Sequence, residues 1–217
     1  MKRFPSVLRQ GYQDFMAGRF WSEKQRYEDL AIEGQSPRIL VVACCDSRAA
    51  PETVFNAGPG EIFVVRNVAN LVPPYQPDGN YHATSAALEF ALQALKVEHI
   101  VVMGHGRCGG IHAALSPANE PLSGGDFIGK WMNMLKPVAE TISSNTYLTE
   151  SERQTALERM SIRNSINNLR TFPEVQALEA DGKVQLHGAW FDISTGELWV
   201  MDGQTGDFGS VDRIPTD

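Results

Sequence analysis

Long hydrophobic runs are missing from this chain of 217 residues. No apolar stretch approaches the roughly 20 consecutive residues that a membrane-spanning helix needs. Residues 1–5 also lack the apolar segment and the small-residue cleavage site of a secretory signal. We therefore expect a cytoplasmic protein that has no membrane partner.

A concentrated basic surface is missing as well. The chain carries 19 Lys and Arg against 26 Asp and Glu, which gives a formal net charge of -7 at pH 7, and its basic residues are scattered. Proteins whose main partner is nucleic acid concentrate positive charge on one face or along one helix. The charge pattern therefore argues against nucleic acid as a partner.

Cysteine is scarce, and its positions are informative. The chain has 3 cysteines, of which Cys44 and Cys45 are adjacent and Cys108 lies far along the sequence. This number and spacing do not make the disulfide framework of a small secreted domain. In a reducing compartment the same residues favour metal binding or thiol chemistry.

Short apolar runs alternate with helical patterns through the first two thirds of the chain. Runs rich in β-branched residues predict strands at 39–43, 62–65 and 99–103, each covered on both faces of a parallel sheet. Residues 184–193 and 197–201 predict a closing pair of strands. The order predicts an α/β fold with a mainly parallel central sheet flanked by helices, an N-terminal helical arm and a C-terminal sheet extension.

The length favours a single domain over two independent ones. Within residues 1–217 we distinguish a helical arm at 1–34, a core at 35–115, and helices and closing strands at 116–217. The arm is predicted to hold two helices. Their predicted N-caps are Ser6 and Ser22, and their predicted C-terminal stops are Gly18 and Gly34.

Polar and thiol side chains collect where two predicted strands end, and open α/β folds place their sites at such ends. Zinc favours thiolate and imidazole ligands, and a catalytic zinc uses three protein ligands. The ligands on offer are Cys44, His105 and Cys108, with Asp46 beside them as a non-ligand. If the strand continues through residue 46, alternation points Cys44 and Asp46 the same way and Cys45 into the core. A closed structural zinc site and a redox pair remain open at this point.

Two motifs in order carry a specific resemblance. Cys-x-Asp-Ser-Arg, starting at Cys44, followed by His-x-x-Cys-Gly-Gly, starting at His105, resembles the signature of the β-class carbonic anhydrases. Residues 59–70, between the two motifs, and 186–190 are similar to that family too. The resemblance covers the core, about 35–111, and is to the plant-type, open-site subgroup.

The resemblance implies reversible hydration of carbon dioxide to bicarbonate and a proton by an enzyme with one Zn²⁺ per subunit. Zinc-bound hydroxide would attack carbon dioxide, oriented by a dyad in which Arg48 restrains Asp46 bidentately. The implied zinc ligands are Cys44, His105 and Cys108, and the implied substrate-binding residues are Gln35, Phe63, Val68 and Gly109. The family also implies a homodimer or a higher homo-oligomer.

Some residues of this chain differ from those at the matching positions of the family members that the motifs resemble. Phe90 and Ala94 stand where plant-type members carry Tyr and His, and neither side chain can move a proton. Proton export then needs Asp46, water and buffer, or another group such as His82, which we interpret as a loop histidine. Val41 and Phe191 lie where the bicarbonate-regulated subgroup carries Trp and Tyr, so we expect an open site without that switch.

Two other functions are compatible with the sequence. The first is hydrolysis of carbonyl sulfide or carbon disulfide on the same scaffold. The second is a non-catalytic zinc-binding or redox-sensing protein, whose cysteines respond to oxidation. The second leaves Asp46 and Arg48 without a role.

Arg66 is expected to make a structural or interface ion pair rather than a catalytic contact.

The ligand set also predicts a pH dependence. A water molecule bound to a zinc ion that three neutral histidines hold has a pKa of about 7. Two thiolates cancel the charge of the cation, so the same water is expected to ionise less readily. Carbon dioxide hydration should therefore rise on the alkaline side in a pH–rate profile. A profile that is flat from mildly acidic to alkaline pH would contradict the prediction.

Overall fold

The structure is a computed structural model that describes residues 3–80, 82–116 and 121–213. It divides into two compact units, Met1–Ser36 and Pro37–Asp217. Each unit is considered by itself, and the single-domain organisation stays a prediction. Within the described ranges, no helix is both long enough and apolar enough to cross a membrane.

The N-terminal unit holds two helices, α1 (Ser6–Ala17) and α2 (Arg19–Glu33). Three aromatic side chains connect them: the ring centroid of Phe15 lies 5.8 Å from that of Phe20 and 6.1 Å from that of Tyr27. Neither helix contains a buried residue. The apolar side chains of this unit therefore remain largely available for further packing.

The helix stops predicted for this unit are confirmed, but its N-caps are not. Gly18 separates the two helices and Gly34 follows the second. Ser6 is the first residue inside α1, and the Ser22 hydroxyl lies inside α2, where it donates to the carbonyl of Arg19. Because Gly18 alone turns the chain, α2 starts at Arg19, four residues before the first helical residue that an N-cap at Ser22 would give.

The second unit is built on one six-stranded sheet. The strands are β1 (Ile39–Cys44), β2 (Ile62–Asn67), β3 (His99–His105), β4 (Gln185–Phe191), β5 (Leu198–Met201) and β6 (Phe208–Ser210). Their spatial order is β2-β1-β3-β4-β5-β6, with parallel pairing up to β4 and antiparallel pairing beyond it. This confirms the predicted α/β class, while β6, only 3 residues long, was not predicted.

Helices flank the sheet. They are α3 (Pro51–Val54), α4 (Ala83–Phe90), α5 (Gly109–Leu115), α6 (Phe127–Met132), α7 (Lys136–Ser143), α8 (Glu150–Leu169) and α9 (Pro173–Ala180). A 3₁₀ turn at Val68–Asn70 follows β2, and a π-helical turn at Ala91–Leu95 extends α4. A further 3₁₀ turn, Asn133–Leu135, separates α6 from α7.

Strand alternation separates the core into two faces. On one face, Leu40, Val42 and Ile100 belong to the same buried cluster as Ile162 and Ile166 of α8. On the other face, a smaller cluster includes Val41, Ala43, Met103 and Ala189. Burying each large aliphatic side chain contributes about 1.5–3 kcal/mol, so this packing fixes α8 against the sheet.

Helix α8 begins with a capping box that gives a stability prediction. Thr149 Oγ1 accepts from the Glu152 amide at 3.3 Å, and Glu152 Oε2 accepts from the Thr149 amide at 2.8 Å. Thr149→Ala should lower the free energy of unfolding by about 1 kcal/mol. Ser151→Ala, an exposed change in the same turn, should stay within about 0.5 kcal/mol of the parent. Urea titration measures both, and equal effects would contradict a capping role.

Candidate metal centre

The sheet order brings the carboxyl ends of β1 and β3 side by side. Cys44 is the last residue of β1, His105 is the last residue of β3, and Cys108 immediately precedes α5. Their ligand atoms all lie within 4.8 Å of one another, and all three residues are buried. The structure thus collects the three predicted zinc ligands in one cluster.

The geometry of this cluster suits a tetrahedral metal. His105 Nδ1 donates to the carbonyl of Gly106 at 2.9 Å, while the buried Nε2 has no hydrogen-bond partner. That tautomer presents the Nε2 lone pair, as a metal-ligating histidine does. The sulfurs of Cys44 and Cys108 are 3.9 Å apart. Two sulfurs bound tetrahedrally at about 2.3 Å from zinc would be separated by about 3.8 Å, so the donor set fits zinc.

The pKa values of the three side chains favour binding of a cation at the cluster. The hydrogen bond from Cys108 lowers the pKa of the Cys44 thiol, and the same contact raises the pKa of Cys108. Burial lowers the pKa of the His105 imidazole, but the contacts with Cys44, the Gly106 carbonyl and Asp46 together outweigh burial and raise it. Negative charge is therefore concentrated at Cys44, where a divalent cation would compensate it.

Asp46 and Arg48 form a bidentate pair beside the cluster. Arg48 Nε donates to Asp46 Oδ1 at 2.9 Å, and the second guanidinium nitrogen donates to Oδ2 at 2.7 Å. The guanidinium holds the pKa of Asp46 well below its usual range. Asp46 Oδ2 lies 3.8 Å from His105 Nε2. An ionised carboxylate thus lies next to the ligand atoms while both of its oxygens are held by Arg48.

The predicted orientation of Cys45 is wrong. Its side chain is exposed rather than buried in the core. β1 ends at Cys44, and the Cys45 amide then donates to the carbonyl of Asn67 at 2.9 Å. Because the chain leaves the strand there, strand alternation no longer determines which way residue 45 points.

Arg66 lies beside the metal-binding segment and makes structural contacts there. Its guanidinium donates to the carbonyl of Cys44 at 2.9 Å and to the carbonyl of Asp46 at 2.8 Å. These bonds are to backbone atoms of the metal-binding segment, and an ion pair of Arg66 across an interface stays a prediction. Arg66 therefore braces the end of β1 from the neighbouring strand. An arginine at the end of an otherwise apolar strand was the available signal.

The backbone between His105 and Cys108 is strained at Arg107. This non-glycine residue has a φ of 57°, in the left-handed region that few side chains adopt. Its carbonyl accepts from Arg48 at 3.1 Å, and its side chain pairs with Asp192 at 3.3 Å. The conformation therefore links the His105–Cys108 loop to the Asp46–Arg48 pair.

Glu158 of α8 is a site residue that the sequence analysis missed. It is 1% exposed, and its carboxylate accepts from the Cys108 amide at 3.0 Å. Burial raises its pKa, although the N–H donors around it partly oppose that effect. The helical spacing of buried Leu157, Ile162 and Ser165 places Glu158 on the buried face of α8, and that periodicity could have identified it.

The predicted substrate-binding residues lie in different surroundings. Val68 lines a cavity of about 560 Å³, together with Asn67, Pro73, His82, Ala83, Thr84, Phe127, Ile128 and Trp131. Phe63 is half-buried and packs against Phe90, with 5.8 Å between the ring centroids. Gly109 begins α5, and a Cβ built there would meet no atom within 4 Å. Gln35 is exposed and belongs to the N-terminal unit. Their substrate-binding roles stay predictions.

Taken together, the fold and the cluster define a class: an α/β protein with a metal-compatible Cys-His-Cys site at the carboxyl edge of a parallel sheet. Residues 39–198 match the family model described as carbonic anhydrase. Two relatives from Arabidopsis thaliana narrow the class. The chain is 34% identical to mitochondrial beta carbonic anhydrase 6 over 209 residues, which are 95% of this chain and 71% of the relative. It belongs to the β-class carbonic anhydrase family.

The second relative, chloroplastic beta carbonic anhydrase 5, is 36% identical over 200 residues, which are 90% of this chain. This chain spans only 64% of that relative's length. Solved structures agree on the fold. The beta-carbonic anhydrase CcaA is 30% identical with a TM-score of 0.87, covering 98% of this chain and 92% of that chain. A tetrameric beta-carbonic anhydrase from Sordaria macrospora is 29% identical with a TM-score of 0.77. The match covers 94% of this chain and 100% of that chain.

Proposed function

We propose that this protein catalyses the zinc-dependent, reversible hydration of carbon dioxide to bicarbonate and a proton. The observation that carries the proposal is the buried cluster of Cys44, His105 and Cys108 directly beside the Asp46–Arg48 pair. Family membership supports the reaction, because the relatives are named as beta carbonic anhydrases.

Cys44 Sγ, His105 Nε2 and Cys108 Sγ would hold one zinc ion per subunit. When bound, zinc supplies Lewis acidity that lets a water molecule act as a nucleophile near neutral pH. Hydrogen bonds from the rest of the chain orient the ligand side chains. The bond from His105 Nδ1 to the Gly106 carbonyl fixes the ring orientation, and the Ala69 amide lies 3.4 Å from Cys44 Sγ, to which it donates.

Asp46 is proposed to orient the attacking nucleophile by accepting a hydrogen bond from it. An ionised carboxylate has about four lone-pair positions, and Arg48 occupies only part of them. Arg48 keeps the carboxylate ionised and directs it, since bidentate pairing restricts both position and rotation. Arg48 also keeps Asp46, 3.8 Å from His105 Nε2, from becoming a further metal ligand.

Carbon dioxide is small and apolar, so its binding needs little more than a small apolar surface. Phe63 and Val68 are proposed to supply that surface. The Gly109 amide is proposed to hold a bicarbonate oxygen, because glycine lets a ligand approach the backbone closely. Gln35 is proposed as a polar lining residue.

Stopped-flow measurement of carbon dioxide hydration, with zinc content determined on the same sample, tests the proposal. Hydration should require zinc, disappear on chelation and return when zinc is added. A zinc-replete protein without hydration activity would overturn the proposed function. Carbonyl sulfide and carbon disulfide belong in the same assay as alternative substrates.

A homodimer or higher homo-oligomer is proposed for the assembly. The solved relative from Sordaria macrospora is described as tetrameric. The N-terminal helices of this chain also leave large apolar side chains uncovered, including Val7 at 75%, Tyr12 at 63% and Trp21 at 62% exposure. Analytical ultracentrifugation measures the assembly. We also propose a cytoplasmic location.

A further inference from the structure

We propose that Glu158 is a positioning residue for the metal cluster, one that holds the Cys108 ligand in place through the peptide backbone. The proposal rests on the proposed function only in requiring that the cluster binds a metal ion. It concerns a residue on α8, a helix that supplies none of the proposed ligands.

Glu158 contacts the backbone on which the Cys108 sulfur depends. Its Oε1 atom accepts from the Cys108 amide at 3.0 Å, and Cys108 itself is 2% exposed. Gln154, one turn earlier on α8, donates both to Oε1 at 3.1 Å and to the Cys108 carbonyl at 3.4 Å. The two side chains therefore hold the peptide groups on both sides of the Cys108 α-carbon.

The opposite oxygen of Glu158 is held by the sheet. Trp190 of β4 donates from its indole nitrogen to Oε2 at 3.1 Å. Because β4 pairs with β3, this contact ties the carboxylate to the strand whose last residue is His105. Glu158 thus connects the loop that carries Cys108 to the strand that carries His105.

A carboxylate is a costly group to bury, so its position calls for an explanation. The hydrogen bonds that the Glu158 carboxylate accepts come from neutral N–H groups of Cys108, Gln154 and Trp190. An uncompensated buried charge is destabilising, whereas an apolar side chain would fit the face shared with Leu157 and Ile162. The three hydrogen bonds that the carboxylate accepts join the Cys108 backbone, α8 and β4, which gives the carboxylate a purpose that packing alone does not.

The His105–Cys108 loop needs such support because its backbone is not relaxed. Arg107, directly before Cys108, is held in the left-handed region with a φ of 57°. If Glu158 were removed, the buried Cys108 amide would lose the acceptor observed for it. The loop could then relax and move the sulfur away from the other two ligand atoms.

Zinc release from the purified holoenzyme to a chromophoric chelator tests this role without relying on activity. Glu158→Ala should release zinc about 10- to 100-fold faster than wild type, the usual effect of losing a group that orients a metal ligand. Cobalt-substituted protein gives a second readout, since a displaced Cys108 should weaken its thiolate-to-metal absorption. Ser161→Ala is the matched control, because Ser161 is 1% exposed on α8 and donates to the Glu158 carbonyl. It should release zinc at the wild-type rate.

A double variant separates the hydrogen bond from the charge. Glu158→Gln keeps an oxygen for the Cys108 amide but turns an N–H group toward the Trp190 indole N–H, which is a donor–donor clash. Trp190→Phe removes that clash. If positioning through the Cys108 amide is the role, Glu158→Gln combined with Trp190→Phe should release zinc as slowly as Trp190→Phe alone.

Two outcomes would overturn the proposal. One is wild-type zinc release from Glu158→Ala, and the other is release from the double variant at least about 10-fold faster than from Trp190→Phe alone. Should Glu158→Ala fail to fold, the glutamine variants still decide the question. Zinc release that follows the expected pattern in a protein without hydration activity would refute the proposed function and leave the role of Glu158 standing.

Discussion

Asp46→Asn is expected to lower kcat/KM for carbon dioxide hydration by about 10²- to 10⁴-fold while zinc content stays at the wild-type level. The amide replaces one acceptor oxygen with an N–H donor and removes the negative charge. Arg48 then loses one of the two oxygens that it now binds at 2.9 and 2.7 Å. The nucleophile consequently loses the acceptor that orients it, whereas the ligand atoms of Cys44, His105 and Cys108 are unchanged.

Stopped-flow kinetics and metal analysis on the same preparation measure both halves of this prediction. Asp181→Asn is a suitable control, since Asp181 is an exposed carboxylate paired with Lys183 through a single 2.9 Å contact. That variant should behave as wild type. Unchanged turnover in Asp46→Asn would remove Asp46 from the mechanism, and loss of zinc would assign it a role in metal retention instead.

Removing His105 should abolish both zinc binding and activity. His105→Ala deletes the buried nitrogen that has no hydrogen-bond partner and leaves two thiolates 3.9 Å apart. Three protein ligands are the minimum found in catalytic zinc sites, so the remaining pair should not retain the metal through purification. Zinc stoichiometry should fall close to zero, and carbon dioxide hydration should fall to the buffer background.

Cys45→Ser provides the matched comparison for the ligand variants. Cys45 neighbours Cys44 in sequence, but its side chain is exposed, whereas that of Cys44 is buried in the cluster. Cys45→Ser should keep zinc and activity, and Cys44→Ser should lose both. Full zinc content in His105→Ala would show that the metal binds elsewhere. An oxidation response that disappears in Cys45→Ser would favour the redox-sensing alternative.

Local sequence patterns were sufficient for the main strands and for the location of the site. The β-branched runs before Cys44 and His105 predicted β1 and β3, because such runs suit a strand buried on both faces. Parallel strands end at the same edge of a sheet, so Cys44 and His105 were expected at one edge, while the structure shows that β1 and β3 are neighbours there.

Errors arose where the conformation depends on a partner distant in sequence. Cys45 was expected in the core because alternation was extended beyond residue 44, but β1 ends at Cys44. The bonds from Arg66 to the carbonyls of Cys44 and Asp46, which were not predicted, require the register between β1 and β2. Side-chain periodicity contains no information on that register.

The sequence by itself determined the α/β class, the strand ends and the identity of the three candidate ligands, because these depend on short-range patterns of apolar and chemically reactive residues. Only the tertiary structure decided that Glu158 meets the Cys108 amide and that Arg66 braces the end of β1. The periodicity of α8 shows that Glu158 faces inward, but its partner is set by how that helix packs across the sheet. That packing is a sum of many buried contacts, which no single stretch of sequence encodes.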